Sequence, residues 1–134
     1  MSRERNSFLT PLVVEVMPSG KTFKVARQFT YLWKRKFIEI HISPGLVTDF
    51  ASIPRVCRLI IAKLGKHTKA SVIHDALYQG EYTTPNSPLR YEFTRAEADL
   101  CFRDGNEDLG VVIWKRWAMW AAVRIGGWLA WRKR

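Results

Sequence analysis

Cysteine is scarce in this sequence, and its placement favours neither a metal site nor a disulfide framework. Cys57 and Cys101 are the only two cysteines in 134 residues, and they do not have the spacing of a metal-ligand pair. Each falls in an apolar helical pattern, so we expect buried, reduced thiols and synthesis in the cytoplasm. The N-terminal segment MSRERNSFLTP is charged and lacks the apolar stretch of a signal peptide, so export would need another route.

Motifs that identify common enzymes and nucleic-acid-binding domains are also missing. The sequence has no HExxH zinc motif and no strong nucleophile elbow. It has no helix-turn-helix, zinc-finger or RNA-recognition signature, so specific nucleic-acid binding is not expected. Non-specific binding of nucleic acid through a basic C-terminus would leave the polar motifs described below without a role.

Acidic residues are few, with 12 Asp and Glu against 22 Lys and Arg and a net charge of +10. This balance favours an anionic partner, such as nucleic acid, an anionic lipid surface or a polyanionic polymer. Half of the acids lie between residues 92 and 108. Residues 111 to 134 carry no acid and six bases: Lys115, Arg116, Arg124, Arg132, Lys133 and Arg134. The basic character is therefore concentrated at the C-terminus.

The order of hydrophobic patterns predicts an α+β fold. A hydrophobic content of 47% is ample for a core, and the length suits a single domain over residues 1–134. Alternating apolar residues predict a small antiparallel sheet over about residues 10–50, with turns at Pro18-Ser19-Gly20 and Pro44-Gly45. About four helices are predicted over residues 53–132, one of them short and following Pro54.

The first polar cluster is TDFASIPR, residues 48–55. Asp49, Ser52 and Arg55 recur every three residues around Pro54, a spacing that predicts a strand end turning into a helix start. Pro54 suits the first helical turn, where its missing N–H would have no partner, and Ser52 suits the N-cap. Polar residues at such a junction lie where ligands commonly bind.

The second polar cluster is HDALY, residues 74–78, on a helix predicted from Thr68. Helical periodicity places His74 and Tyr78 on one face and Asp75 on the next. One turn would present an imidazole, a carboxylate and a phenol together. A structural hydrogen-bonded His–Asp pair is the alternative to a functional site.

A third helix is predicted to begin at Thr94. Glu97 lies three residues further on, so the two residues form a capping-box pattern. Arg95 and Asp99 are spaced to pair as neighbours on the helix surface.

Four segments together resemble one family: TDFASIPR (48–55), HDALY (74–78), TRAEADLCF (94–102) and AAVRIGG (121–127). In this order and spacing they are similar to the phage and prophage family called domain of unknown function thirteen fifty-three (DUF1353). The resemblance implies a phage or prophage origin and a shared polar site, with no settled reaction. It also implies that Asp99 points inward toward His74 and that Arg124 belongs to the site. A buried Arg124 would need a carboxylate partner, and the candidates are Asp49, Asp75 and Asp99.

The last predicted helix, about residues 111–131, carries a stripe of indoles. The stripe follows a three- and four-residue spacing through Trp114, Trp117, Ala121, Arg124, Trp128 and Trp131. A central charge makes membrane insertion unfavourable by about 2.5–3.5 kcal/mol, so a transmembrane helix is not expected. Three alternatives remain: a core helix packed on the sheet, an interfacial helix at lipid headgroups, or a docking surface for another phage protein.

Two functions fit these motifs, and the sequence leaves open whether the protein is an enzyme. In a small hydrolase, the site would be drawn from Asp49, Ser52, Arg55, His74, Asp75, Tyr78, Arg95, Asp99 and Arg124. His74, Asp75 and Asp99 would bind zinc or manganese and lower the pKa of a bound water. In a virion component of the tail or baseplate, or an assembly protein, the same side chains would form a buried structural network. The protein would be made in the host cytoplasm and, under the second hypothesis, incorporated into the virion.

Overall fold

A computed structural model of the chain describes residues 7–20, 22–48, 66–128 and 131. Five strands come first: β1 (Val14–Val16), β2 (Phe23–Val25), β3 (Phe29–Trp33), β4 (Ile38–Ile42) and β5 (Val47–Thr48). Three helices follow: α1 (Thr68–Gln79), α2 (Arg95–Asp108) and α3 (Ile113–Gly126). The α+β fold class predicted from the sequence is confirmed. The helix predicted after Pro54 falls outside the described residues, so the described helices number three rather than about four.

The strands form two antiparallel sheets rather than the single sheet predicted. One sheet has the order β1–β2–β5, and β3 pairs with β4 in the other. The predicted hairpin at Pro18-Ser19-Gly20 is present, with Val16 opposite Phe23 and Gly20 at φ 71°, a conformation that favours glycine. In β4 the alternation is clear, since Ile38, Ile40 and Ile42 are buried and the two residues between them are half-buried.

The helix ends follow local sequence signals. Thr94 caps α2 through a complete capping box: its side chain accepts from the Glu97 amide, and the Glu97 side chain accepts from the Thr94 amide. The sequence prediction of this cap is confirmed. Helix α1 ends at Gly80, which adopts the left-handed conformation (φ 76°) that glycine tolerates best.

Helix α2 lies at the centre of the helical part. It packs against α1, α3 and β3, while α1 also contacts β4. Gly105 of α2 permits a close approach to α1, because a Cβ atom there would lie 3.1 Å from the Ala70 Cβ. Because α2 packs against both α1 and α3, side chains of all three helices can meet beside α2.

Helix α3 buries the face opposite Trp114 and Trp117, whereas Trp131, the last residue of the indole stripe, packs edge-on against Tyr78. Met119, Ala122 and Val123 are its buried residues, whereas Trp114 and Trp117 are about half exposed, at 56% and 46%. The helix packs against α2, so the alternative of a core helix on the sheet is not what the structure has. Among the described residues, no helix combines the length and hydrophobicity needed to cross a bilayer.

Candidate functional site

The carboxylate of Asp99 is the centre of a polar network between the three helices. Its Oδ1 accepts hydrogen bonds from His74 Nε2 at 2.8 Å and from the Tyr78 hydroxyl at 2.5 Å. Its Oδ2 accepts from Arg124 Nη1 at 2.8 Å, and Arg95 Nε lies 3.9 Å away. Because Asp99 of α2 accepts hydrogen bonds from donors of α1 and of α3, the network ties the three helices together.

Helical spacing and ring packing orient the two α1 donors. His74 and Tyr78 are four residues apart and therefore share a face of α1. Their ring centroids lie 4.2 Å apart, and the Phe102 ring of α2 lies 4.8 Å from the His74 ring. The imidazole is thus held between two aromatic rings while Nε2 donates to Asp99.

Arg95 binds the end of α3 rather than solvent. It donates from Nη2 to the carbonyls of Val123 (2.8 Å) and Arg124 (2.5 Å), and from Nε to the Tyr78 hydroxyl (3.2 Å). Carbonyls at the end of a helix carry a partial negative charge, and the Val123 carbonyl also accepts from the Gly127 amide at 2.9 Å. A guanidinium with several fixed donors satisfies them well.

Burial and hydrogen bonding act in opposite directions on the ionisation of Asp99. Burial raises the pKa of this carboxyl, but hydrogen bonds from His74, Tyr78 and Arg124 outweigh burial and hold the pKa below its ordinary value. Burial, followed by the hydrogen bond to Asp99, raises the pKa of the Tyr78 hydroxyl. At neutral pH the network therefore contains a carboxylate and a neutral phenol that donates to it.

Asp75 faces away from this network and toward the sheet. It accepts a hydrogen bond from the hydroxyl of Thr48, the last residue of β5, and both side chains are buried. Thr48 is also the first residue of the TDFASIPR segment, so this bond joins the beginning of the first polar cluster to α1. The remaining candidates from that segment, Asp49, Ser52 and Arg55, lie outside the described residues.

The residues predicted as metal ligands are not arranged to bind a metal. His74 Nε2 is bonded directly to Asp99, and Asp75 is bonded to Thr48. In the described part of the chain, no group of three or more His, Cys, Asp or Glu side chains could hold a metal ion. His74 Nε2 and both oxygens of Asp99 are engaged by protein groups, and Asp75 is bonded to Thr48, so the three residues predicted to bind zinc or manganese do not converge on one point.

Access to the network is restricted. The side chains of His74 and Asp99 are 2% and 0% exposed, whereas that of Arg124 is 35% exposed. A cavity of about 620 Å³ lies elsewhere, between the Ser43–Val47 segment and the end of α1, and the network residues do not line it. Among the described groups, the guanidinium of Arg124 is therefore the part of the network most accessible from solvent.

Comparison with known proteins gives a family and no function. Residues 23–123 match the family described as Protein of unknown function (DUF1353). The chain belongs to this family. No curated protein and no solved structure matches it. The resemblance identified from four segments of this DUF1353 protein is thus confirmed, and it covers His74, Tyr78, Arg95 and Asp99.

The sequence prediction missed one residue beside the network and one buried polar residue elsewhere on α2. Gly127 packs against the network, since a Cβ atom there would lie 2.6 Å from the Tyr78 hydroxyl. Its place at the end of the AAVRIGG segment was the available signal. Asn106 of α2 is fully buried, and its side-chain amide has no hydrogen-bond partner among the described residues. No sequence pattern distinguishes Asn106 from an ordinary helix-end residue.

Proposed function

We propose that this DUF1353 protein is a structural component of a phage particle or of its assembly, and that the Asp99 network fixes the fold. The observation that carries the proposal is the complete burial of an Asp99 carboxylate whose two oxygens accept three hydrogen bonds from protein donors. A general base must reach a substrate proton directly or through one water. Asp99 and His74 instead face each other inside the helical core. The phage association rests on the family resemblance.

The chemistry of the network supports a structural role. A carboxylate without partners is strongly unfavourable in a protein interior, whereas one that accepts several hydrogen bonds and faces guanidinium groups is tolerated. Removing one member leaves the others buried and unpaired, a change that typically destabilises a protein by about 3–5 kcal/mol. A network of this kind specifies one arrangement of the helices around it.

A small hydrolase remains the second candidate, and one contact favours it. The hydrogen bond from Thr48 to Asp75 brings the first residue of TDFASIPR to the helix that carries His74. Asp49 is the next residue in the sequence, and Ser52 and Arg55 follow three and six residues after it. In this alternative, the exposed part of Arg124 would hold an anionic substrate oxygen beside those groups.

Metal content and folding together distinguish the two functions. The experiment measures metal by inductively coupled plasma mass spectrometry and the thermal transition by circular dichroism for the wild type, His74→Ala and Asp99→Ala. Glu92→Ala is the matched control, because Glu92 is also a carboxylate that pairs with an arginine, Arg90, but both side chains are exposed. The structural function predicts no stoichiometric metal, loss of the cooperative transition in both network variants, and a retained transition in the control.

The opposite pattern would reject the structural proposal. About one equivalent of zinc or manganese that disappears in both network variants while they stay folded would establish a metal site.

The virion role has a separate test, which is mass spectrometry of particles purified on a density gradient. Constant stoichiometry with other particle proteins is expected, and absence of the chain from the particles would contradict the role.

A further inference from the structure

The outward side of α3 is mostly apolar, although it includes Arg124, whose side chain is 35% exposed and bonded to Asp99. Its exposed residues include Ile125 (78%), Ile113 (60%), Trp114 (56%), Val112 (51%) and Trp117 (46%), and these five define the α3 outer face. Val112 is the N-cap residue of α3, and at 3.6 residues per turn the other four lie on the side opposite the buried Met119, Ala122 and Val123. Exposed aliphatic and indole side chains gathered on one helix face mark an interaction surface.

Cationic groups border this face. The Arg103 guanidinium lies over the Trp117 ring at 4.5 Å and over the Trp120 ring at 5.4 Å, and Lys115 Nζ lies 5.7 Å from the Trp114 ring. The sequence from 111 to 134 adds further bases and contains no acid. The α3 outer face is therefore both apolar and positively charged at its edge.

The acids of α2 are directed elsewhere, and Glu107 borders a cavity together with Lys34 and Arg35. Asp104 accepts from Arg35 and the Trp33 indole, and Glu97 pairs with Lys36, all on the side of the sheet. Asp108 accepts from Ser7, and Asp99 is buried in the network. The negative charge near α3 is thus engaged away from the outer face, and the positive charge at its edge is available to an external anion.

An anionic lipid surface fits this combination better than other partners. Val112, Ile113 and Ile125 need an apolar medium, which the bases and phosphates of a nucleic acid do not supply. A second copy of the chain would bring two positively charged faces together, and like charges are unfavourable. At the surface of a bilayer, Trp rings lie at the headgroup level, aliphatic side chains enter the acyl boundary, and Lys and Arg meet lipid phosphates.

We infer that the α3 outer face binds anionic membranes as an interfacial surface, with α3 lying along the bilayer plane. The inference does not depend on whether the protein is a virion component or a hydrolase. Ile113 and Ile125 enter the acyl boundary, while Lys115 and Arg103 contact lipid phosphates. Because part of the attraction is electrostatic, binding weakens as the salt concentration rises.

The test is flotation of the full-length chain with lipid vesicles. Wild-type protein is mixed with vesicles of phosphatidylcholine alone or of phosphatidylcholine with phosphatidylglycerol, and the bound fraction is measured. The variant Ile113→Glu/Ile125→Glu alters two exposed positions on the outer face. Val16→Glu/Leu89→Glu is the matched control, since it also replaces two exposed aliphatic side chains by glutamate, on β1 and in the loop before α2. Thermal melts verify that both variants fold.

The expected result is binding to phosphatidylglycerol vesicles, weak binding to phosphatidylcholine, and at least a tenfold loss of affinity in the outer-face variant alone. Equal loss in both variants would mean that net charge, not this face, drives binding, and would overturn the inference. So would an absence of vesicle binding by the wild type. Two other results would assign the face to a different partner and would also overturn the inference. In the first, the wild type is a dimer, and only the outer-face variant is monomeric. In the second, the wild type binds a labelled oligonucleotide but not vesicles, and only the outer-face variant loses that binding.

Discussion

Replacing Tyr78 by Phe removes one oxygen atom from the Asp99 network and leaves the aromatic ring in place. The lost hydroxyl donates to Asp99 at 2.5 Å and accepts from Arg95 at 3.2 Å. Hydrogen bonds to charged groups typically contribute about 1.5–3 kcal/mol. Asp99 would keep its bonds to His74 and Arg124. We therefore expect the free energy of unfolding to fall by about 2–3 kcal/mol, less than the loss of about 3–5 kcal/mol that is typical when a buried charge is left unpaired.

The chain supplies a matched control at Tyr91. Its hydroxyl also contacts one acid and one base, since it donates to Glu97 and accepts from Lys36 Nζ at 3.0 Å. The Lys36 side chain is half exposed, so solvent screens the interaction, and Tyr91→Phe should change stability by no more than about 0.5 kcal/mol. The two variants make the same chemical change and differ mainly in burial.

Urea unfolding followed by far-ultraviolet circular dichroism measures both variants. The midpoint of Tyr78→Phe should move to lower urea with an unchanged slope, because the surface exposed on unfolding is the same. For a chain of this length, the thermal midpoint should fall by about 10 °C. If the stabilities of the two variants agree within about 0.5 kcal/mol, burial does not strengthen the Tyr78 hydrogen bonds, and the structural role of the network is refuted with it.

Three further variants test the same site and its surroundings. Gly127→Ala should destabilise the protein by about 1–3 kcal/mol, because the new methyl group would lie 2.6 Å from the Tyr78 hydroxyl; Gly126→Ala, at an exposed helical position, should be neutral or stabilising in the same urea assay. Asn106→Leu should raise stability by about 1–2 kcal/mol if the buried amide is unsatisfied, and a decrease would show that a buried water or another partner binds it. The pKa of Asp99 is held below its ordinary value of 3.8, so its stabilising effect is present above that pH and is lost as the pH falls through the folded-state pKa. Acidification should therefore destabilise the wild type more than Asp99→Asn, as measured by unfolding midpoints at about pH 6 and about pH 3, and equal losses would contradict this assignment.

The sequence predicted most accurately the features of the fold that depend on neighbouring residues. The Pro18-Ser19-Gly20 turn and the Thr94 cap depend on neighbours within a few residues, and both are present. The inward direction of Asp99 was implied by the family resemblance, because spacing alone also allowed a surface pair with Arg95. In the structure Asp99 contacts both His74 and Arg95, at 2.8 Å and 3.9 Å.

Local sequence patterns did not predict which side chains contact each other when the residues are far apart in the sequence. The position of Asp75 within HDALY suggested a shared site with His74, yet successive helical residues lie about 100° apart, and Asp75 faces Thr48 instead. The spacing of the indoles placed Trp114 and Trp117 on one side of a helix correctly, but spacing does not state whether that side faces the core. Tryptophan is large and amphipathic, so it suits either environment.

Arg124 connects the interior network with the outward surface. Its guanidinium donates to Asp99, and its backbone carbonyl accepts from Arg95, so side chain and backbone are both held by α2. Two attachments at one residue fix the rotation of α3 about its own axis, and Ile125, the next residue, is then held outward at 78% exposure. Binding by a surface that is already ordered avoids much of the entropy lost when flexible groups are immobilised. The buried network and the exposed α3 outer face are therefore parts of one arrangement, in which the first determines the direction in which the second is presented.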